Sequence, residues 1–154
     1  MIEIKPGLDG AGLTVGIVRC RFNEPIGQVE LAACLGRLGE LGVAGSDITV
    51  AAVAGALEAP LALQRLAATG RYDALVALGA VIRGETYHFD IVANESASGL
   101  MQVQLDTGVP VANGILTTDT EAQAEERAAP KGRDCADVAV EMARLVRAID
   151  KHHR

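Results

Sequence analysis

The sequence predicts a three-layer α/β/α sandwich around a four-stranded parallel sheet. Short β-branched apolar runs alternate with longer segments of helical period, the order that gives parallel strands joined by crossover helices. The runs are continuously apolar rather than alternating in and out, as strands covered on both faces are. The units recur at roughly thirty residues, the length of a strand plus a helix, without resembling one another as repeats do.

Each element has a local cause. Leu13–Val18 (LTVGIV) is a buried strand after a glycine-rich lead-in. From Pro25 to Leu41, the apolar residues Ile26, Val29, Cys34, Leu35, Leu38 and Leu41 recur at helical spacing. Pro25 suits a first turn, Asn23 is a candidate cap and Gly42 a stop. The pattern repeats as strand Ile48–Val53, helix Pro60–Ala68 closed by Gly70, strand Ala74–Leu78 and helix His88–Leu105 closed by Gly108. Strand Val109–Leu116 then leads into the polar stretch Thr117–Arg127. Pro130, which lacks a backbone N–H, predicts a break there, before a last helix from Asp134 to Ile149. Residues 13–150 thus read as one domain, with a loose N-terminal segment (1–12) and a C-terminal tail (151–154).

Composition narrows the function. The 154 residues are 49% apolar and 22% charged, enough for one ordinary core. A net charge of −6 with no basic stripe leaves no source of phosphate-backbone attraction, so nucleic acid is not an expected partner. No apolar stretch approaches the ~20 residues of a membrane span, and the N-terminus has no secretory pattern. Three widely spaced cysteines form no Cys-x-x-Cys pair, which fits reduced thiols in the cytoplasm.

In a parallel sheet the segments that follow each strand converge on one edge, and ligands bind there. These are Arg21-Phe22-Asn23, Ala54 to Glu58, Arg83 to His88, and the chain from Asn113 onward. Phe22 offers a stacking surface or a lid on the core. Gly55 allows close backbone approach, and Glu58 is either a ligand-facing carboxylate or a first-turn acid. Arg83-Gly84-Glu85-Thr86 precedes a helix, whose unpaired N–H groups suit phosphate. No Walker loop or strand-following G-x-G-x-x-G occurs, which argues against nucleoside triphosphates and dinucleotides. His88 lies at a helix start, where the dipole favours a proton-accepting ring, and is either a general base or structural. Arg127 and Lys131 could neutralise an anion or be solvated. No metal-ligand cluster is evident, and Arg19-Cys20-Arg21 lacks the acids with which a receiver domain holds Mg²⁺.

The run from Ala77 to Val92 (ALGAVIRGETYHFDIV), then Asn94-Glu95-Ser96 and Asn113 to Asp119 (NGILTTD), closely resembles the lumazine synthase family. Arg21-Phe22-Asn23, Gly55 to Pro60 and Lys131-Gly132 extend the resemblance over about residues 13–146. It implies a flavodoxin-like fold and the penultimate step of riboflavin synthesis. There 5-amino-6-(D-ribitylamino)uracil condenses with 3,4-dihydroxy-2-butanone 4-phosphate, without metal or redox cofactor. On that pattern Phe22 stacks on the pyrimidine, Ala56 and Leu57 hold the ring with Val81 and Ile82, and Glu58 bonds the ribityl hydroxyls. Gly84, Glu85, Thr86 and Arg127 bind phosphate, His88 shuttles protons, Lys131 holds the ribityl chain or the phosphate side, and Asp134 matches a family acid.

The sequence departs from the pattern at Ala54, where many members have proline, and at Asn113, where an aromatic residue often reaches a neighbouring subunit's site. The stretch from Arg127 to Gly132 is shorter than in members that form sixty-subunit shells. The resemblance therefore implies a homopentamer or decamer with sites between subunits. The alternative is a noncatalytic flavin- or lumazine-binding protein or an assembly scaffold of the same fold.

Overall fold

In the computed structural model, which describes residues 1–153, strand and helix alternate along the chain. The elements are β1 (Val15–Cys20), α1 (Glu24–Glu40), a 3₁₀ turn (Gly45–Asp47), β2 (Ile48–Val53), α2 (Ala59–Ala68), β3 (Ala74–Ile82), α3 (His88–Thr107), β4 (Val111–Thr118) and α4 (Glu121–His152). All strands are parallel in the order β2-β1-β3-β4, with Val15 in register with both Ile48 and Ala74, and Leu75 with Val111. This order is flavodoxin-like: the chain winds one way from β1 to β2 and the other way from β3 to β4.

Strand alternation divides the core. Val15, Ile17, Val76 and Leu78 point to one face, where they pack with Cys34 and Leu38 of α1 and Cys135, Ala136, Ala139 and Val140 of α4. Val18, Leu75, Ala77 and Ile115 point to the other, against Ala59 and Leu63 of α2 and Leu100 and Val103 of α3. A smaller cluster of Ile26, Ala80, Leu116, Ala124 and Ala128 closes the first face near the strand ends.

The fourth unit differs from expectation. The break at Pro130 and the helix start at Asp134 are replaced by one helix from Glu121 to His152 with Pro130 inside it. A capping box secures its start: the Thr120 side chain accepts the Gln123 N–H at 3.2 Å, and the Gln123 side chain accepts the Thr120 N–H at 3.2 Å. Beyond the proline, Gly132, Cys135 and Ala136 are buried, and a Cβ at Gly132 would overlap the Glu30 carbonyl oxygen. Close packing on α1 thus holds both halves together and outweighs the one helical hydrogen bond that proline forfeits. The N-terminal segment is also less loose than expected at its end. Gly10 donates to the Leu41 carbonyl at 2.7 Å, and Arg144 donates to the carbonyls of Asp9 and Ala11, both at 2.6 Å. Lys151 and His152, expected in the tail, complete α4, and Arg154 lies outside the described residues.

The sheet opens at one place. Pairing between β1 and β3 stops at Arg19↔Leu78, whereas β3 stays paired with β4 to Ile82↔Thr118. The Asn23 side chain takes the place of the missing strand by donating to the Ala80 carbonyl at 2.9 Å. Asn23 therefore does not cap α1 as expected; it adopts a left-handed conformation (φ 57°, ψ 47°), which asparagine tolerates better than most residues. One residue earlier, Gly79 donates its N–H to Glu30 of α1 at 3.0 Å.

Glu30 is fully buried, and its second oxygen has no hydrogen-bond partner among the described residues. Burial pushes its pKa up from 4.5 to about 9, against weaker opposing pulls from the Gly79 N–H and the Lys131 charge. The native protein thus holds a proton that the unfolded chain releases above pH 4.5. This group's contribution to stability is full below pH 4.5 and is lost progressively as pH rises towards 9. The slope is on the order of 1 kcal/mol per pH unit. Urea unfolding of the original protein and Glu30→Gln between pH 5 and 8 is expected to show this downward slope only in the original. Parallel curves would show that Glu30 is ionised in the fold.

Candidate active site

The opening between β1 and β3 is a cavity of about 380 Å³, lined by Cys20, Phe22, Asn23, Gly55–Glu58, Ala80, Val81, His88 and Val92. It lies at the topological switch point, at the carboxyl ends of the strands, where ligands of open α/β sheets bind. Four segments far apart in sequence meet there: the turn after β1, the turn after β2, the end of β3 and the first turn of α3.

Phe22 is two-thirds exposed, so its ring is a wall of the cavity rather than a plug of the core. Its N–H donates to the Ala54 carbonyl at 3.0 Å, and Arg21 donates to Val53, tying the turn after β1 to the turn after β2. The ring lies so close to Gly55 that a Cβ there would sit 2.5 Å from it. Glu58 immediately precedes α2 but makes no capping bond with its side chain, which leaves the carboxylate at the cavity wall. His88 is the first residue of α3, and its N–H is held by the Thr86 hydroxyl at 3.4 Å.

The preceding loop is anchored from one side. Arg83 donates to Asp119 at 2.7 Å, approaches Asp90 at 3.6 Å and stacks over Phe89 at 4.3 Å. Its backbone N–H donates to the Thr118 carbonyl at 2.9 Å. Gly84, Glu85 and Thr86 are exposed, and their N–H groups have no hydrogen-bond partner among the described residues. Such amides at the start of a long helix suit an anion.

Other candidates fall elsewhere in the chain. Ile82 packs into the cluster around Ile26, Leu116 and Ala124, because alternation along β3 turns it to the opposite face from Val81. Asn113 pairs with Ala77, four residues before Val81 and therefore about 13 Å down the strand. Its side chain accepts the Ile115 N–H at 3.0 Å. Arg127 lines a polar cavity of about 450 Å³ with Arg83, Asp90, Asn94, Asp119 and Gln123, on the far side of the Arg83–Phe89 contact. Lys131 and Asp134 line a further depression with Arg127 and Pro130. The structure thus gathers Phe22, Ala56, Leu57, Glu58, Val81 and His88, with the Gly84–Thr86 amides nearby in sequence, and leaves Asn113, Arg127 and Lys131 on other surfaces.

Two contributors are absent from the sequence reading: Asn23 as the grip on Ala80, and Glu30 beneath the cavity. Glu30 was detectable, since Ile26, Glu30, Cys34 and Leu38 recur every four residues and all four are buried. An acid on that stripe was the signal. Cys20 also lines the cavity, but burial pushes its thiol up to about 12, with the neighbouring acids Glu30 and Glu58 adding to the effect. It is not an activated nucleophile.

Fold and cavity define the class: a flavodoxin-like α/β protein with an open cavity at the switch point. The chain belongs to the 6,7-dimethyl-8-ribityllumazine synthase family, whose model matches residues 12–147. A protein of Bordetella petrii bearing that name is 61% identical over 147 residues, which cover 96% of this chain and 84% of the relative. The relative from Cupriavidus pinatubonensis is 61% identical over 143 residues (93% and 86%), and that from Burkholderia multivorans 55% over 149 residues (97% and 87%).

Because Phe22 rests on the backbone at Gly55, Gly55→Ala is expected to displace the ring and weaken stacking with a bound heterocycle. Fluorescence titration with 6,7-dimethyl-8-ribityllumazine should show affinity reduced about tenfold, the loss of roughly one good aromatic contact. Unchanged affinity would mean that Phe22 does not hold the ring.

Proposed function

We propose that this protein condenses 5-amino-6-(D-ribitylamino)uracil with 3,4-dihydroxy-2-butanone 4-phosphate to 6,7-dimethyl-8-ribityllumazine, phosphate and water. The observation that carries the reading is one cavity bordered by an aromatic ring, a carboxylate and an imidazole, on a chain about 60% identical to proteins of that name. Phe22 stacks on the pyrimidine, the backbone at Ala56 and Leu57 orients it, and Glu58 accepts hydrogen bonds from the ribityl hydroxyls. The amides of Gly84, Glu85 and Thr86 take the phosphate.

The chemistry needs proton movement at each step. A pyrimidine amine attacks the ketone and water leaves to give an imine. Loss of an α-proton expels phosphate by β-elimination, the enol tautomerises, and the second amine closes the ring with loss of water. His88 moves protons between these positions, and holding two reactants in one cavity supplies the larger share of the acceleration.

We further infer self-association, as a homopentamer or decamer. Asn113, Arg127 and Lys131 lie on surfaces away from their own protomer's cavity and would complete a neighbour's. Strand β2 exposes Thr49, Val50 and Ala52, although parallel strands are normally covered on both faces. Met101 (54% exposed) and Leu105 (74%) of α3 are similarly uncovered. Small-molecule substrates are the expected ligands. A cytoplasmic location fits three buried free cysteines.

The test is to incubate the purified protein with both substrates and follow lumazine fluorescence, with sedimentation alongside. Product formation by a pentamer or decamer is expected. A retained coloured ligand without turnover would favour a noncatalytic carrier, and a sixty-subunit particle would overturn the assembly. His88→Ala should lower kcat by about 10²-fold without abolishing turnover, the usual scale of a proton-transfer contribution. Unchanged turnover would remove the proton-shuttle role. Arg127→Glu should raise KM for the phosphorylated substrate at least about tenfold, as expected for losing a charge-assisted contact, while KM for the pyrimidine changes little. Equal effects on both would separate Arg127 from the phosphate.

A further inference from the structure

Glu30 has no part in the chemistry described above, yet it lies where α1, β3 and α4 meet beneath the cavity. Its Oε1 accepts the Gly79 N–H at 3.0 Å, and the next two residues of β3, Ala80 and Val81, line the cavity. Gly79 itself packs on Cys20, another lining residue; a Cβ at Gly79 would sit 2.7 Å from the Cys20 Cβ. The Glu30 backbone supports α4 at Gly132, next to Lys131. An acid is a costly filler for a core position, where an apolar side chain of similar volume packs at lower free energy. Its presence at full burial calls for a role that leucine cannot fill.

We infer that Glu30 is a positioning residue for the active site: its carboxyl holds β3 at Gly79 and so sets the Ala80–Val81 wall against Phe22 and His88. The inference rests on the enzymatic reading above. The carboxyl works as the uncharged acid. Oε1 accepts from Gly79, and Oε2, which has no partner among the described residues, is left as the oxygen to hold the proton. The charged and titratable groups that act on it are few. Lys131 of α4 favours the anion, while Cys20 of β1, Cys34 of α1 and Cys135 of α4 are themselves held as thiols by burial. No cation pairs with the carboxylate at ion-pair distance among the described residues. Glutamine is therefore the conservative replacement, since it keeps the acceptor and the uncharged state. Aspartate withdraws the carboxyl by one methylene, and leucine removes the acceptor.

The experiment compares Glu30→Gln, Glu30→Asp and Glu30→Leu with the original protein. Infrared difference spectra at pH 7 read the carboxyl directly and do not depend on turnover. A protonated-acid carbonyl band that Glu30→Gln abolishes is expected, and only carboxylate bands would overturn the inference. Lumazine affinity by fluorescence, with KM and kcat, reads the cavity. Glu30→Asp and Glu30→Leu should weaken lumazine binding and raise the pyrimidine KM about tenfold, the scale of one lost buried hydrogen bond. Their kcat should stay within about threefold, and Glu30→Gln should restore affinity to within about twofold. Equal affinity in the original, Asp and Leu proteins would overturn the role, as would a Gln variant as weak as Leu. If Glu30→Leu does not fold, Glu30→Asp and the infrared band decide. Absence of lumazine formation by the original protein would instead fault the enzymatic reading, leaving the infrared and binding results to judge Glu30.

Discussion

The structure depends on β1 and β3 parting before β3 ends. The two strands pair as far as Leu78, after which β1 turns away towards β2 and β3 continues beside β4. That separation makes the cavity and also creates a cost, because the Ala80 carbonyl loses its strand partner inside a low-dielectric interior. Asn23 meets the cost from the turn that carries Phe22. The grip that satisfies the backbone thus also fixes the turn that presents the exposed Phe22 ring to the cavity. Fold and site share one hydrogen bond.

The same economy governs the surroundings. Phe22 is positioned by backbone bonds to the turn after β2 and by the missing Cβ of Gly55, so its placement owes little to side-chain packing. The phosphate-suited amides are presented by a loop anchored through Arg83 on its far side, where Asp119, Asp90 and Phe89 hold the guanidinium. Preorganised donors of this kind need no rearrangement when a charged ligand arrives. The loop therefore separates two cavities, one apolar and aromatic, the other polar and flanked by Arg127.

Helix α4 links these features to the chain's length. Its unbroken run past Pro130 places Arg127 and Lys131 on a rigid rod, pressed on α1 through Gly132. Capping at Thr120 and burial of small residues decide this. Proline removes one hydrogen bond, while the interface on either side contributes many contacts. The buried acid beneath that crossing shows the reverse balance: Glu30 is retained although burial opposes its charge.

Much of the architecture was legible in the sequence. Continuous apolar runs identified all four parallel strands, and the glycines at 42, 70 and 108 each lie just past a helix with positive φ, where their lack of a Cβ removes the strain. That Phe22, Glu58 and His88 border one cavity, with the Gly84–Thr86 loop beside it in sequence, was foreseeable because residues after parallel strands must converge, a rule of topology that needs no coordinates. What only the tertiary structure decided was which groups meet within one chain. Ile82 is turned away by strand alternation, Asn113 lies about 13 Å down the sheet from Val81, and Arg127 and Lys131 are carried elsewhere by a helix whose continuity depends on its partner. Asn23 reads as a cap until β3 is seen to lack a neighbour, and Glu30, an acid on the apolar stripe of α1, gains its setting only when α4 covers it. Periodicity is a local property of the chain, whereas the loss of a hydrogen-bond partner and the exclusion of water are set by segments that arrive from elsewhere.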